Sequence, residues 1–115
     1  MIKRGDIFYA DIDEGKGSEQ NGRRPVVILQ NNKGNRHSTT TIAAMITSAR
    51  KKSLPTHVWL RKEDSGLKED SIVLLEQIQT LDQKRLVNRV GRLGKHAMDQ
   101  VDRAARCSLY LDRRK

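Results

Sequence analysis

Two side chains in this sequence have the type and setting for chemistry on a phosphate: Arg24 and Thr47. Arg24 follows the polar, glycine-bounded stretch Gly17-Ser18-Glu19-Gln20-Asn21-Gly22-Arg23 and precedes Pro25-Val26-Val27-Ile28-Leu29. Its guanidinium is a permanent cation whose planar fork matches two phosphate oxygens. Pro25 has no N–H and biases Arg24 toward extended geometry. The cation therefore stands at the mouth of an apolar run with the character of a buried strand. Thr47 ends a β-branched segment and offers a hydroxyl donor at a strand exit. Neither is decisive alone, because exposed arginines and strand threonines are ordinary features.

The chemistry these groups suit is cleavage of RNA without a metal. RNA carries its own nucleophile, the 2′-hydroxyl beside each phosphate. A protein then has to align that hydroxyl, stabilise the extra negative charge of the pentavalent transition state and protonate the leaving 5′-oxygen. Other chemistries find less support. His37, His57 and His96 are scattered, and the single cysteine, Cys107, completes no zinc-ligand spacing. Asp11 with Asp13, and Glu69 with Asp70, read as solvated strand-end charges rather than a divalent-metal cluster. No phosphate-cradling GxxxxGK[ST] or GxGxxG occurs. The expectation is no metal and no cofactor.

The wider sequence limits the partners. Aromatic residues are only 3% of 115, so the core must be aliphatic and modest, and dimerisation would bury more of it. The net charge of +9 points to a polyanion, most often nucleic acid. From residue 83 onward there are ten Lys and Arg against three Asp and Glu, so the excess lies in the last third. No stretch reaches membrane-helix length, and the first residues have no apolar signal region. One cysteine fits a reducing cytoplasm.

The elements that must position Arg24 and Thr47 are mostly short strands. Strands are expected over residues 6–12, 24–30, 39–47, 56–60, 71–80 and 87–93, with turn chemistry at 31–35. Asp82 is placed to cap a helical turn over 82–86. Residues 95–112 form the one clear helix, with Ala97, Met98, Val101, Ala104, Ala105, Ser108 and Leu109 on its apolar face. Cys107 reads as a small filler beside that face. The pattern is mainly β with a C-terminal helix, an α+β half-open barrel in a single domain spanning 1–115.

Nearly end to end, the chain resembles the MazF/PemK/Kid family of toxin endoribonucleases, and most closely the chromosomal MazF toxins of Gram-positive bacteria. The resemblance is carried by Lys3-Arg4-Gly5-Asp6, Gly17-Ser18-Glu19-Gln20, Gly22-Arg23-Arg24-Pro25-Val26-Val27, Ile46-Thr47, Leu54-Pro55-Thr56-His57-Val58 and Asp70-Ser71-Ile72-Val73-Leu74-Leu75-Glu76-Gln77-Ile78. It implies a homodimeric SH3-like half-barrel and metal-independent, sequence-specific cleavage of single-stranded mRNA. The products would carry a 2′,3′-cyclic phosphate and a 5′-hydroxyl. It implies a MazE-type antitoxin partner whose acidic tail occupies the RNA groove. Arg24 falls on the family's catalytic arginine and Thr47 on its catalytic threonine. Glu19 becomes a candidate base or base-edge reader. Ser18, Gln20, Asn31, Leu54, Pro55, Glu76 and Gln77 become candidates for holding RNA.

Physics and the departures from the family narrow the roles. Arginine rarely yields its proton, so Arg24 suits charge stabilisation, or the acid, better than the base. Plasmid-borne Kid-type relatives use a histidine, an arginine and an aspartate where this chain has Ser18, Leu74 and Glu76, so that mechanism does not transfer. A gyrase poison of the CcdB type is the alternative, but the terminal Tyr110-Leu111-Asp112-Arg113-Arg114-Lys115 lacks its Trp-Gly-Ile end. A basic nucleic-acid-binding module without catalysis is the third reading.

Overall fold

The computed structural model describes residues 1–12, 22–48 and 53–112. Strands β1 (Asp6–Asp11), β2 (Arg23–Ile28), β3 (Thr40–Ser48), β4 (His57–Leu60), β5 (Ser71–Asp82) and β6 (Leu86–Arg92) pair antiparallel in the order β4-β5-β3-β2-β1-β6. Helices α1 (Asn32–His37) and α2 (Lys62–Ser65) are short, and α3 (Lys95–Leu109) follows the last strand. The two edge strands, β4 and β6, do not pair with each other, so the sheet stays an open half-barrel.

Strand β2 explains the continuous apolar run of its sequence, since side chains alternate across a strand and β2 is covered on both faces. Val27 packs with Ala44, Ile46, Val73 and Leu75 under Val101 and Ala104 of α3. Val26 and Ile28 pack on the other face with Ala10, Ala43 and Leu81. Helix α3 is amphipathic as expected, except at its end. Leu109 is 55% exposed at the last turn, where Tyr110 takes a left-handed conformation (φ 55°) and ends the helix. Cys107 is exposed as well, so it fills no gap in the core.

The polar segment after β2 is helical rather than a turn. Asn31 accepts from the Gly34 N–H (2.7 Å) and so caps α1. Buried Asn35 then links Gln30 and Thr41 by side-chain hydrogen bonds of 2.9 and 2.7 Å. Asp82 caps the 3-10 turn Gln83–Arg85 by accepting from the Lys84 N–H, as its position suggests. Gly66 ends α2 at φ 85°, and a Cβ there would lie 2.4 Å from the Val90 carbonyl oxygen, so glycine alone suits both demands.

Part of the basic C-terminal third is structural. Arg92 and Arg89 approach the buried Asp6 carboxylate at 2.8 and 3.4 Å, tying β6 to β1. Arg4 bridges the sheet to α3 through Asp102.

Candidate active site

Arg24 and Thr47 stand on neighbouring strands. The last register pair of β2 and β3 is Val26 with Met45, and two further steps bring Arg24 opposite Thr47. By alternation both share the face of Val26, Ile28, Ala43 and Met45, away from α3. Both are exposed. The neighbouring Arg23 is engaged with Asp11 at 3.2 Å. Arg24 pairs with no described residue, which leaves its fork available to an anion.

A groove of about 780 Å³ runs from this pair across β3, β5 and β4. Met45, Ile46, Leu54, Ile72 and Leu74 give it apolar walls, and Arg24, Thr47, His57, Glu76 and Gln77 its polar groups. An irregularity in β5 delivers the last two. Ala44 pairs with Ile78 but Met45 pairs with Leu74, so Leu75, Glu76 and Gln77 are extra residues opposite β3. Such bulges re-aim side chains, and here Glu76 and Gln77 reach the groove wall.

Glu76 is fixed by neighbours on β4 and the turn before it. The Thr56 hydroxyl donates to Oε1 (2.8 Å), and His57 Nε2 lies 3.1 Å from Oε2. The Leu54 N–H donates to His57 Nδ1 (3.2 Å), so that nitrogen carries a lone pair and the proton of the neutral ring sits on Nε2, toward Glu76. Burial pushes the Glu76 carboxyl up, but the hydrogen bonds from Thr56 and His57 outweigh it and hold the group below its ordinary value. The carboxylate is thus ionised and oriented, a fixed acceptor for the amino or imino edge of a base.

Five of the ten residues named from the sequence therefore meet in one groove: Arg24, Thr47, Leu54, Glu76 and Gln77. Pro55 lies apart, in a depression between β4 and α3 with Trp59, Gln100 and Arg103. Asn31 is away from the groove lining and caps α1. Ser18, Glu19 and Gln20 lie outside the described residues. His57 is the residue the sequence reasoning missed. Sought only as a metal ligand, it lacked companions, yet alternation in Thr56-His57-Val58-Trp59-Leu60 put it on the strand face opposite Val58. Among the described residues no three His, Cys, Asp or Glu side chains gather as a metal site.

Fold and groove together describe a small half-barrel protein with an exposed cation and hydroxyl at the head of an open groove of about 780 Å³. The family model of the PemK-like, MazF-like toxins of type II toxin–antitoxin systems matches residues 3–109, and the chain belongs to that family. It is 46% identical over 112 residues to endoribonuclease EndoA of Bacillus subtilis strain 168, covering 96% of this chain and 97% of the relative. Among solved structures it resembles an endoribonuclease in complex with its cognate antitoxin from a mycobacterial species (TM-score 0.81, 27% identity, 96% and 97% of the two chains). It also resembles the Mycobacterium tuberculosis toxin MazF-mt6 (TM-score 0.79, 26% identity, 93% and 98%). No helix among the described residues is long and apolar enough to cross a membrane.

Proposed function

We propose that this chain is the toxin of a type II toxin–antitoxin system and cleaves single-stranded RNA, mRNA above all, at a short sequence. The observation that carries the reading is the exposed Arg24, paired with no described residue, opposite Thr47 at the head of a groove, in a chain 46% identical to an endoribonuclease. The 2′-hydroxyl attacks its own phosphorus. A bond forms between O2′ and phosphorus, the bond from phosphorus to O5′ breaks, and a 2′,3′-cyclic phosphate and a 5′-hydroxyl result. Arg24 holds two non-bridging oxygens through its fork and neutralises the charge that grows on them. Thr47 donates its hydroxyl to a phosphoryl oxygen. The proton leaving O2′ passes to a base, for which Glu19 is the candidate, and O5′, as it departs, takes one from an acid, for which Arg24 is the candidate.

Leu54, Glu76 and Gln77 hold neighbouring bases along the groove, with Ser18 and Gln20 as further candidates. Single-stranded bases are held in this way by stacking and edge contacts. The reaction needs no metal to generate a nucleophile, because the nucleophile belongs to the substrate. The chain acts as one domain over residues 1–115, as a homodimer that covers exposed apolar side chains such as Trp59, in the cytoplasm. A MazE-type antitoxin with an acidic segment competes for the same groove at Arg24, in keeping with the antitoxin complex of the mycobacterial relative.

A substrate with a 2′-deoxy sugar at the cut nucleotide tests the chemistry. The all-RNA version is cut and the 2′-deoxy version is left intact. Cleavage of both would contradict attack by the 2′-hydroxyl.

A further inference from the structure

Arg24 and Thr47 border two depressions, not one. Beyond them, away from Glu76, lies a second pocket of about 480 Å³. Ile46 is common to both as well, so the pair stands on the ridge between them. The second pocket's inner wall is apolar: Tyr9 and Pro25, which are register partners on β1 and β2, with buried Leu67. Its rim is polar, with exposed Lys68 and Glu69.

The geometry points to this pocket as the seat of one of the two nucleotides joined by the cleaved bond, the other being seated in the main groove. This rests on the ribonuclease reading above. In-line attack puts O2′ and O5′ on opposite sides of the phosphorus, which unstacks the two nucleosides and turns them away from each other, and a cavity opens on each side of the ridge. The volume lies in the usual range of about 300–1,000 Å³ for ligand sites. The wall and rim suit a nucleotide: apolar surface for the base and a cation for the next phosphate. Tyr9 supplies the aromatic face, since bases stack on tyrosine without regard to identity. It is half-buried, and its hydroxyl makes no hydrogen bond to a described residue, whereas buried tyrosines usually find a partner. Lys68 enters no ion pair with a described residue, so its charge is free for a phosphate.

The test combines protein variants with substrates lacking one base. A short RNA containing the cut is prepared intact, abasic at the nucleotide 5′ of the cleaved bond, and abasic at the nucleotide 3′ of it. Tyr9→Ala is expected to lower kcat/KM on the intact RNA by about 10-fold or more, the size of a lost stacking contact. On one of the two abasic substrates that loss disappears, because the base it served is gone; on the other it persists. A merely structural role for Tyr9 would lower all three rates alike, and that result overturns the proposal.

Tyr9 packs against the core, so Lys68→Gln at the exposed rim gives an independent reading. It is expected to reduce the salt dependence of RNA affinity by about 0.7 in log–log slope, as for one phosphate contact on a single strand. An unchanged slope overturns the proposal. So does a pair of variants that cut RNA normally but lose the antitoxin, which would make the pocket a protein contact. If the wild type cuts no RNA, the ribonuclease reading fails separately. The pocket is then judged by binding of the same RNAs with a 2′-deoxy sugar at the cut, using the same variants and criteria.

Discussion

At one end of the groove Arg24 stands exposed with no described partner, while at the other Glu76 is held by Thr56 and His57. The first is a charge waiting for an opposite charge. The second is a charge already oriented by its neighbours. A transition state gains most where the protein leaves a cation unpaired until the reacting phosphate arrives. A base is read best where an acceptor is fixed beforehand and a wrong partner leaves it unsatisfied. Under the function proposed above, reaction belongs to the β2–β3 end and recognition to the β4–β5 end.

The sharpest way to break that division is at Arg24. Arg24→Ala is expected to lower the cleavage rate by about 10³-fold, near the upper range for loss of one preorganised donor. Arg24→Lys keeps the charge but not the fork, and a loss of about 10²-fold is expected. Single-turnover rates on a saturating RNA measure both; a lysine variant near wild-type speed would remove the bidentate role. Thr47→Val keeps a β-branched side chain in β3 and deletes only the hydroxyl. A loss of about 10- to 100-fold follows from one hydrogen bond to a charged oxygen.

The recognition end should respond in a different quantity. Glu76→Gln is expected to change which base is accepted at one position, with less than about a 10-fold change in rate on the best sequence. Sequencing the cut sites of a randomised RNA pool reads this directly. His57→Phe removes the donor that orients Glu76 and should blur the same position rather than create a new preference. A uniform fall across all sequences would erase the distinction between the two ends.

The smallest effect is on stability. The Glu76 carboxyl is held below its ordinary value of 4.5 in the folded protein. Its ionised form therefore stabilises the fold above the unfolded pKa, and that contribution fades as pH falls through the lowered folded value. Melting temperatures of wild type and Glu76→Gln should differ by a constant amount from pH 6 to 8 and converge below about pH 4.5. The side chain is 38% exposed, so solvent screens most of the interaction and the difference is small.

Much of this was legible in the residues. Apolar runs, β-branched residues and alternation indicated six strands with ends displaced by one or two residues, because edge pairing, not propensity, decides where a strand stops. Asn31 to Asn35 misled, since Asn and Gly signal turns, and nothing local announces that Asn31 caps a helix braced by buried Asn35. Arg24 and Thr47 were readable as chemistry-bearing types. Their register across β2 and β3 was not, because pairing is a long-range property. The three extra residues in β5 were likewise invisible, for an unbroken apolar-to-alternating run contains no bulge signal. His57 was hidden for the same reason: its partner Glu76 lies nineteen residues away.

The central claim is that Arg24, over Thr47, stabilises the phosphate of RNA cut by its own 2′-hydroxyl. The most direct measurement incubates a long single-stranded RNA in EDTA with wild type, Arg24→Ala and Thr47→Ala, maps the new ends and identifies their termini. The account predicts discrete cuts by the wild type, with 2′,3′-cyclic phosphate and 5′-hydroxyl ends, whose rate falls about 10³-fold in Arg24→Ala and about 10- to 100-fold in Thr47→Ala although both remain folded. Cuts of undiminished rate in Arg24→Ala, or products ending in 5′-phosphate, would contradict it.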